Sequence, residues 1–180
     1  MKPIREMTQA EIGAYVHSHL REEGIDVVLS GGAAVGIYSG GRYVSQDLDL
    51  VRGYAASPRA IAAAMRELGF EETQGRYFKH PEAQHFIEFP PGPLTVGEEP
   101  VGEVNEMEFA TGTLRLISPT DCVKDRLASY YHFGDRQGLI QATMVAQQNA
   151  VDLKEIRRWS KGEGQLTKFE EFLAALDTSL

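Results

Sequence analysis

Asp47 and Asp49 stand two residues apart in VSQDLDLV, residues 44–51, where apolar and polar residues alternate. In an extended strand, residues i and i+2 share a face at about 6.5–7 Å along the chain, so both carboxylates can converge on one small volume. Held about 4 Å apart, two carboxylates repel by on the order of 4 kcal/mol at an effective dielectric near 20. A cation between them removes that cost, and an all-oxygen donor set suits Mg²⁺ or Mn²⁺. Upstream, Ser30, Gly31 and Gly32 follow the β-branched run IDVVL (residues 25–29) and precede the helix-compatible AAVGIY. Glycines let a phosphate come close to backbone N–H groups, and the helix behind them offers its positive end. Glu88, between Ile87 and Phe89, is the candidate third acid. With it, two metals about 3.5–4 Å apart could hold the attacking and leaving oxygens of an in-line displacement. The same two aspartates also fit the solvated face of an amphipathic strand, and Glu88 also fits an exposed position on a half-buried hairpin. The glycine turn favours the site.

These residues need elements to hold them. Ile12, Val16 and Leu20 form an apolar stripe over residues 8–23, with Thr8 and Glu11 as a capping box and Gly24 as the stop. Strands are expected at residues 25–29 and 44–51. A helix follows at residues 58–68, with Ser57 as N-cap, Pro58 in its first turn and Gly69 closing it. Residues 75–79 and 84–89 read as a hairpin, and the PPGP run at 90–93 is expected to end its ladder. Two short strands are expected at 101–109 and 113–117. From Ser118 the strand signals cease: helices are expected from Pro119, over 144–160 and over 168–176. The expected architecture is therefore α/β (α+β), a small mixed sheet with flanking helices at residues 1–117 and a helical C-terminal part at residues 118–180.

Composition narrows the classes further. The chain has 180 residues, 18 Lys and Arg against 26 Asp and Glu, and a formal net charge of −8. That balance argues against a basic nucleic-acid clamp, because non-specific affinity comes from neutralising phosphates. No apolar run is long enough for a membrane span and no secretory leader pattern is visible, which points to a soluble cytoplasmic protein. The single Cys122 has no disulfide or thiolate partner. His80, His85 and His132 lack ligand spacing, and His17 and His19 face different sides of a helix, so no histidine is assigned to metal. Tyr130, Tyr131 and Phe133 could stack on a base or fill the seam between helix and sheet. Arg157, Arg158 and Lys161 answer the negative end of a helix or touch an RNA acceptor.

The run VVLSGGAAVGIYSGGRYVSQDLDLV resembles the signature of the nucleotidyltransferase superfamily of the polymerase β type: a glycine turn, then Asp-x-Asp on the next strand, then a later acid. With LRLISPTDCVKDRL it is most similar to the AbiEii-like branch, which includes toxins of toxin–antitoxin systems, and the similarity covers roughly residues 10–155. The resemblance implies a nucleotidyltransferase-like core, transfer of a nucleoside monophosphate from an NTP to a hydroxyl of an RNA, a protein or a small molecule, and a possible antitoxin partner. Carried over by position, Gly31 and Gly32 would cradle phosphates, Asp47 and Asp49 would ligate Mg²⁺, and Glu88 would be a ligand or a base. Lys124 would match the family's phosphate-contacting lysine. Ser30 and Ser45 are read as hydrogen-bonding turn residues at the nucleotide site, since no nucleophile elbow surrounds them. The chain departs from the family where Asp135-Arg136 is followed by a long gap before Asp152, and Gly40-Gly41-Arg42 forms an extra turn able to carry Arg42 toward the nucleotide. Two rivals stand beside this reading: a non-catalytic nucleotide- or protein-binding module of the same fold, and a modifier of small cationic molecules similar to aminoglycoside nucleotidyltransferases.

Overall fold

A computed structural model describes residues 2–73 and 76–178. Helix α1 (Gln9–Glu22) begins at Thr8, whose hydroxyl accepts from the Glu11 N–H while the Glu11 carboxylate accepts from the Thr8 N–H. Strand β1 (Val27–Ser30) runs straight into α2 (Gly31–Tyr38), and β2 (Asp47–Arg52) returns beside it. Helix α3 (Pro58–Glu67) is capped by Ser57, with Pro58 in the first turn where its missing N–H costs nothing. Strands β3 (Glu71–Glu72), β4 (Tyr77–Lys79) and β5 (Phe86–Glu88) follow, then a short hairpin of β6 (Thr95–Val96) and β7 (Glu99–Pro100). The long hairpin β8 (Val104–Phe109) and β9 (Gly112–Ile117) is the last strand pair among the described residues. Four helices then run α4 (Pro119–Phe133), α5 (Arg136–Gln148), α6 (Leu153–Gly162) and α7 (Leu166–Thr178). No helix among the described residues is long and apolar enough to cross a membrane.

The main sheet has the order β3-β4-β5-β2-β1-β9-β8. Its centre is mixed: β1 pairs antiparallel with β2 but parallel with β9, and β2 pairs parallel with β5. The fold is α/β, a mixed sheet between helices. Alternation along β2 explains its two faces. Leu48 and Leu50 are fully buried, and α1 lies so close that a Cβ on Gly13 would meet the side chains of Leu48 and Leu114. Asp47 and Asp49 therefore face the other side, toward the N-terminus of α2.

On that side α2 packs against α4 and α5, joining the sheet to the C-terminal helices. Tyr131 stacks on the fully buried Trp159 with ring centroids 5.5 Å apart and shares a hydrogen bond with Ser160. The Tyr130 hydroxyl bonds Glu171, and Phe133 is exposed. The two tyrosines thus fill a seam between helices, not one between helix and sheet.

Two expectations about elements need correction. The helix expected over residues 144–160 is broken: Asn149 is extended, its amide donates to the Tyr38 carbonyl at 2.6 Å, and Asp152 caps a new helix through the N–H groups of Lys154 and Glu155. The PPGP run also stays beside β2, because the Pro90 carbonyl accepts from the Arg52 N–H and the Gly92 N–H donates back to the Arg52 carbonyl. Proline removes a donor and leaves its acceptor. The β6–β7 pair lies in a segment with no alternation long enough to announce it. The expected start of the first hairpin strand, at residue 75, lies outside the described residues.

Candidate active site

Register assembles the site. Ser30 on β1 lies opposite Asp49 on β2, and Asp49 lies opposite Glu88 on β5, so three side chains form a row across neighbouring strands. Asp47 joins from two residues earlier on the same face. Carboxylate oxygens of Asp47, Asp49 and Glu88 all lie within 4.8 Å of one another. Each acid is held differently. The Ser45 hydroxyl donates to Asp47 Oδ1 at 2.9 Å, and the Gln9 amide donates to the carbonyls of Ser45 and Asp47 at 3.0 and 3.1 Å, fixing the entry to β2. Glu88 is only 7% exposed, which settles the choice against an exposed hairpin position, and its Oε1 receives the guanidinium of Arg76.

Asp49 carries the electrostatic cost. Burial, with the nearby charges of Asp47 and Glu88 adding to it, pushes its carboxyl up to about 6. Gly31 and Gly32 are required here by sterics. Gly31 has φ +69°, and a Cβ there would overlap Oδ2 of Asp49. A Cβ on Gly32 would fall 2.9 Å from the Ser45 hydroxyl oxygen. The glycine turn therefore lets the first turn of α2, whose N–H groups have no partner within the helix, settle directly onto the acids.

A cleft of about 390 Å³ opens beside this cluster, with Ser30, Gly31, Asp49, Glu88, Arg76 and Arg126 in its walls. Three convergent carboxylates supply only hard oxygen donors and strong negative charge, which fits Mg²⁺ or Mn²⁺. Of the residues singled out in the sequence, Ser30, Gly31, Asp49 and Glu88 line the cleft, while Asp47, Ser45 and Gly32 stand immediately behind it. Lys124 is placed elsewhere. It is 5% exposed and its ammonium pairs with Asp121 at 3.2 Å and Glu155 at 2.9 Å. Arg42 donates to Gln147 at 3.2 Å and is not among the cleft residues, and Asp152 is a helix cap.

Sequence reasoning missed Arg76, Asp125 and Arg126. Residues 124 and 126 are about 200° apart around a helix, so whichever faces the cleft turns the other away. Nothing local says which face of α4 meets the cleft. Arg76 carried no motif at all.

No protein-family model and no curated protein sequence matches the chain. Solved structures do. An antigenic nucleotidyltransferase-like protein from Paracoccidioides brasiliensis superposes with TM-score 0.56 at 18% identity, covering 78% of this chain and 76% of that one. The antibiotic-resistance factor ANT(2'')-Ia in solution gives TM-score 0.50 at 16% identity over 94% and 95% of the two chains. The lincosamide antibiotic adenylyltransferase LnuA, bound to lincomycin, gives 0.51 at 15% identity over 77% and 98%. At such identities the likeness establishes the fold, and the fold is that of nucleotidyltransferases.

Proposed function

We propose that the chain is a divalent-metal-dependent nucleotidyltransferase that moves a nucleoside monophosphate from an NTP to a hydroxyl group and releases pyrophosphate. The observation that carries this reading is the convergence of Asp47, Asp49 and Glu88 at the N-terminus of α2, beside an open cleft. Asp47, Asp49 and Glu88 would hold Mg²⁺ or Mn²⁺. A bound ion of this kind neutralises charge on the transferring phosphate and lowers the pKa of the acceptor hydroxyl.

The chain's own groups supply position. N–H groups of Gly31 and Gly32 meet phosphate oxygens, and Ser45 keeps the Asp47 carboxylate in one orientation. The hydroxyl oxygen forms its bond to the α-phosphorus as the bond to the β-phosphate oxygen breaks in line, and a carboxylate oxygen of the cluster takes the proton. The helices of residues 119–178 close the cleft, with Asp125 and Arg126 of α4 in its wall.

A small-molecule hydroxyl is the acceptor we favour. The net charge of −8 suits a compact cationic acceptor better than bulk RNA, and two proteins of this fold are named for antibiotics. Incubation with each radiolabelled NTP, Mg²⁺ and a cell extract tests this directly: label should appear in a small metabolite. Label in tRNA or protein would move the reading toward the toxin type with an antitoxin partner. No label, with nucleotide binding indifferent to Mg²⁺, would leave a non-catalytic binding module.

A further inference from the structure

We infer that Arg126 receives the anionic oxygens of the polyphosphate in this cleft, and that Asp125 and Gln141 are positioning residues for its guanidinium. The inference rests on the nucleotide reading above and names the group that answers the triphosphate's charge. The cleft wall contains Asp49 and Glu88, with Asp47 behind them, so an incoming polyphosphate meets carboxylates unless cations face it. Two side chains in the wall are cationic, Arg76 and Arg126. Arg76 is engaged on Glu88, with its side chain 75% exposed. Arg126 is the more enclosed, at 20%.

Its guanidinium is held from two helices. Nε and Nη2 both donate to Asp125 Oδ2, and Nη1 donates to Gln141 Oε1 at 3.4 Å. A guanidinium has five N–H groups, so two have no partner among the described residues. Gln141 is itself buried on α5. The close approach of that helix depends on Gly138, where a Cβ would run into the Arg126 carbonyl. A planar, pre-oriented fork with free donors in the cleft wall is what bidentate recognition of phosphate requires. Lys124 lacks this freedom, because it lies outside the cleft and both of its carboxylate partners hold it.

The test is calorimetric titration of the full chain, in Mg²⁺, with an NTP and with the matching NMP. Arg126→Gln should reduce NTP affinity tenfold or more while NMP affinity changes by less than about threefold, and Arg126→Lys should recover part of the loss. Gln141→Leu should weaken NTP binding several-fold with the melting temperature kept, and Gln141→Glu, which retains the acceptor oxygen, should restore it. Unchanged NTP binding in Arg126→Gln, or equal losses for NTP and NMP, would overturn the inference and leave the transferase reading standing. A wild-type chain that binds no NTP in Mg²⁺ would overturn both.

Discussion

Gly31 and Asp49 are in such close apposition that no side-chain carbon fits between them. Gly31 also has φ +69°, where an alanine is strained by roughly 1–2 kcal/mol before any overlap is counted. Gly31→Ala should therefore displace the Asp49 carboxylate and lift the first turn of α2 from the acids. Thermal melting should fall by several degrees, and Mn²⁺ affinity measured by titration should fall at least tenfold. An alanine variant with native Mn²⁺ affinity would show that the contact is not part of the site.

Asp49 sets the pH dependence. Its folded-state carboxyl lies at about 6, above the ordinary 3.8, so between those values the folded chain holds the proton more tightly than the unfolded chain. Stability of the metal-free protein should therefore fall as pH rises through that window, and above about 6 the cost is on the order of 3 kcal/mol. Asp49→Asn removes the charge. We expect the metal-free variant to melt higher than wild type at pH 7.5 and almost equally at pH 4, while transfer activity and Mn²⁺ stabilisation are both lost. Equal melting of the two proteins at pH 7.5 would contradict the assignment.

The acids were legible in the sequence because their chemistry is written in local spacing. Period-two alternation places Asp47 and Asp49 on one face, and a glycine turn after a β-branched run needs no tertiary information. Glu88 was legible only as a charge among apolar residues, since its place opposite Asp49 depends on parallel pairing of strands whose β5 begins 34 residues after β2 ends. The break at Asn149 was hidden for a similar reason: the Tyr38 carbonyl that its amide reaches lies on α2. The helix-face choice between Lys124 and Arg126 is decided by how α4 docks, which no window of α4 alone contains.

Arg76 gives Glu88 a counter-charge that a divalent ion would otherwise supply. The pair is exposed on the arginine side, so its worth is at most about 1 kcal/mol. Arg76→Gln removes a positive charge from the rim of the acid cluster and should tighten Mn²⁺ binding by up to about fivefold, with a smaller gain at high salt because the arginine is solvated. Weaker Mn²⁺ binding in this variant would mean that the guanidinium organises the carboxylates instead of competing for them.

Lys124 separates stability from recognition. Its ammonium is buried between Asp121 on α4 and Glu155 on α6, and Asp121 also accepts the Gly102 N–H at 2.7 Å. Lys124→Met leaves the buried Asp121 carboxylate without its cation, a loss of about 3 kcal/mol in denaturant unfolding. Adding Asp121→Asn should recover part of it, because the orphaned charge is then gone while the acceptor oxygen for Gly102 remains. Under native conditions the double variant should bind NTP as wild type does, since neither group lines the cleft. Native-like stability together with lost NTP affinity in Lys124→Met would instead assign the phosphate contact to Lys124 and require α4 to rotate on nucleotide binding.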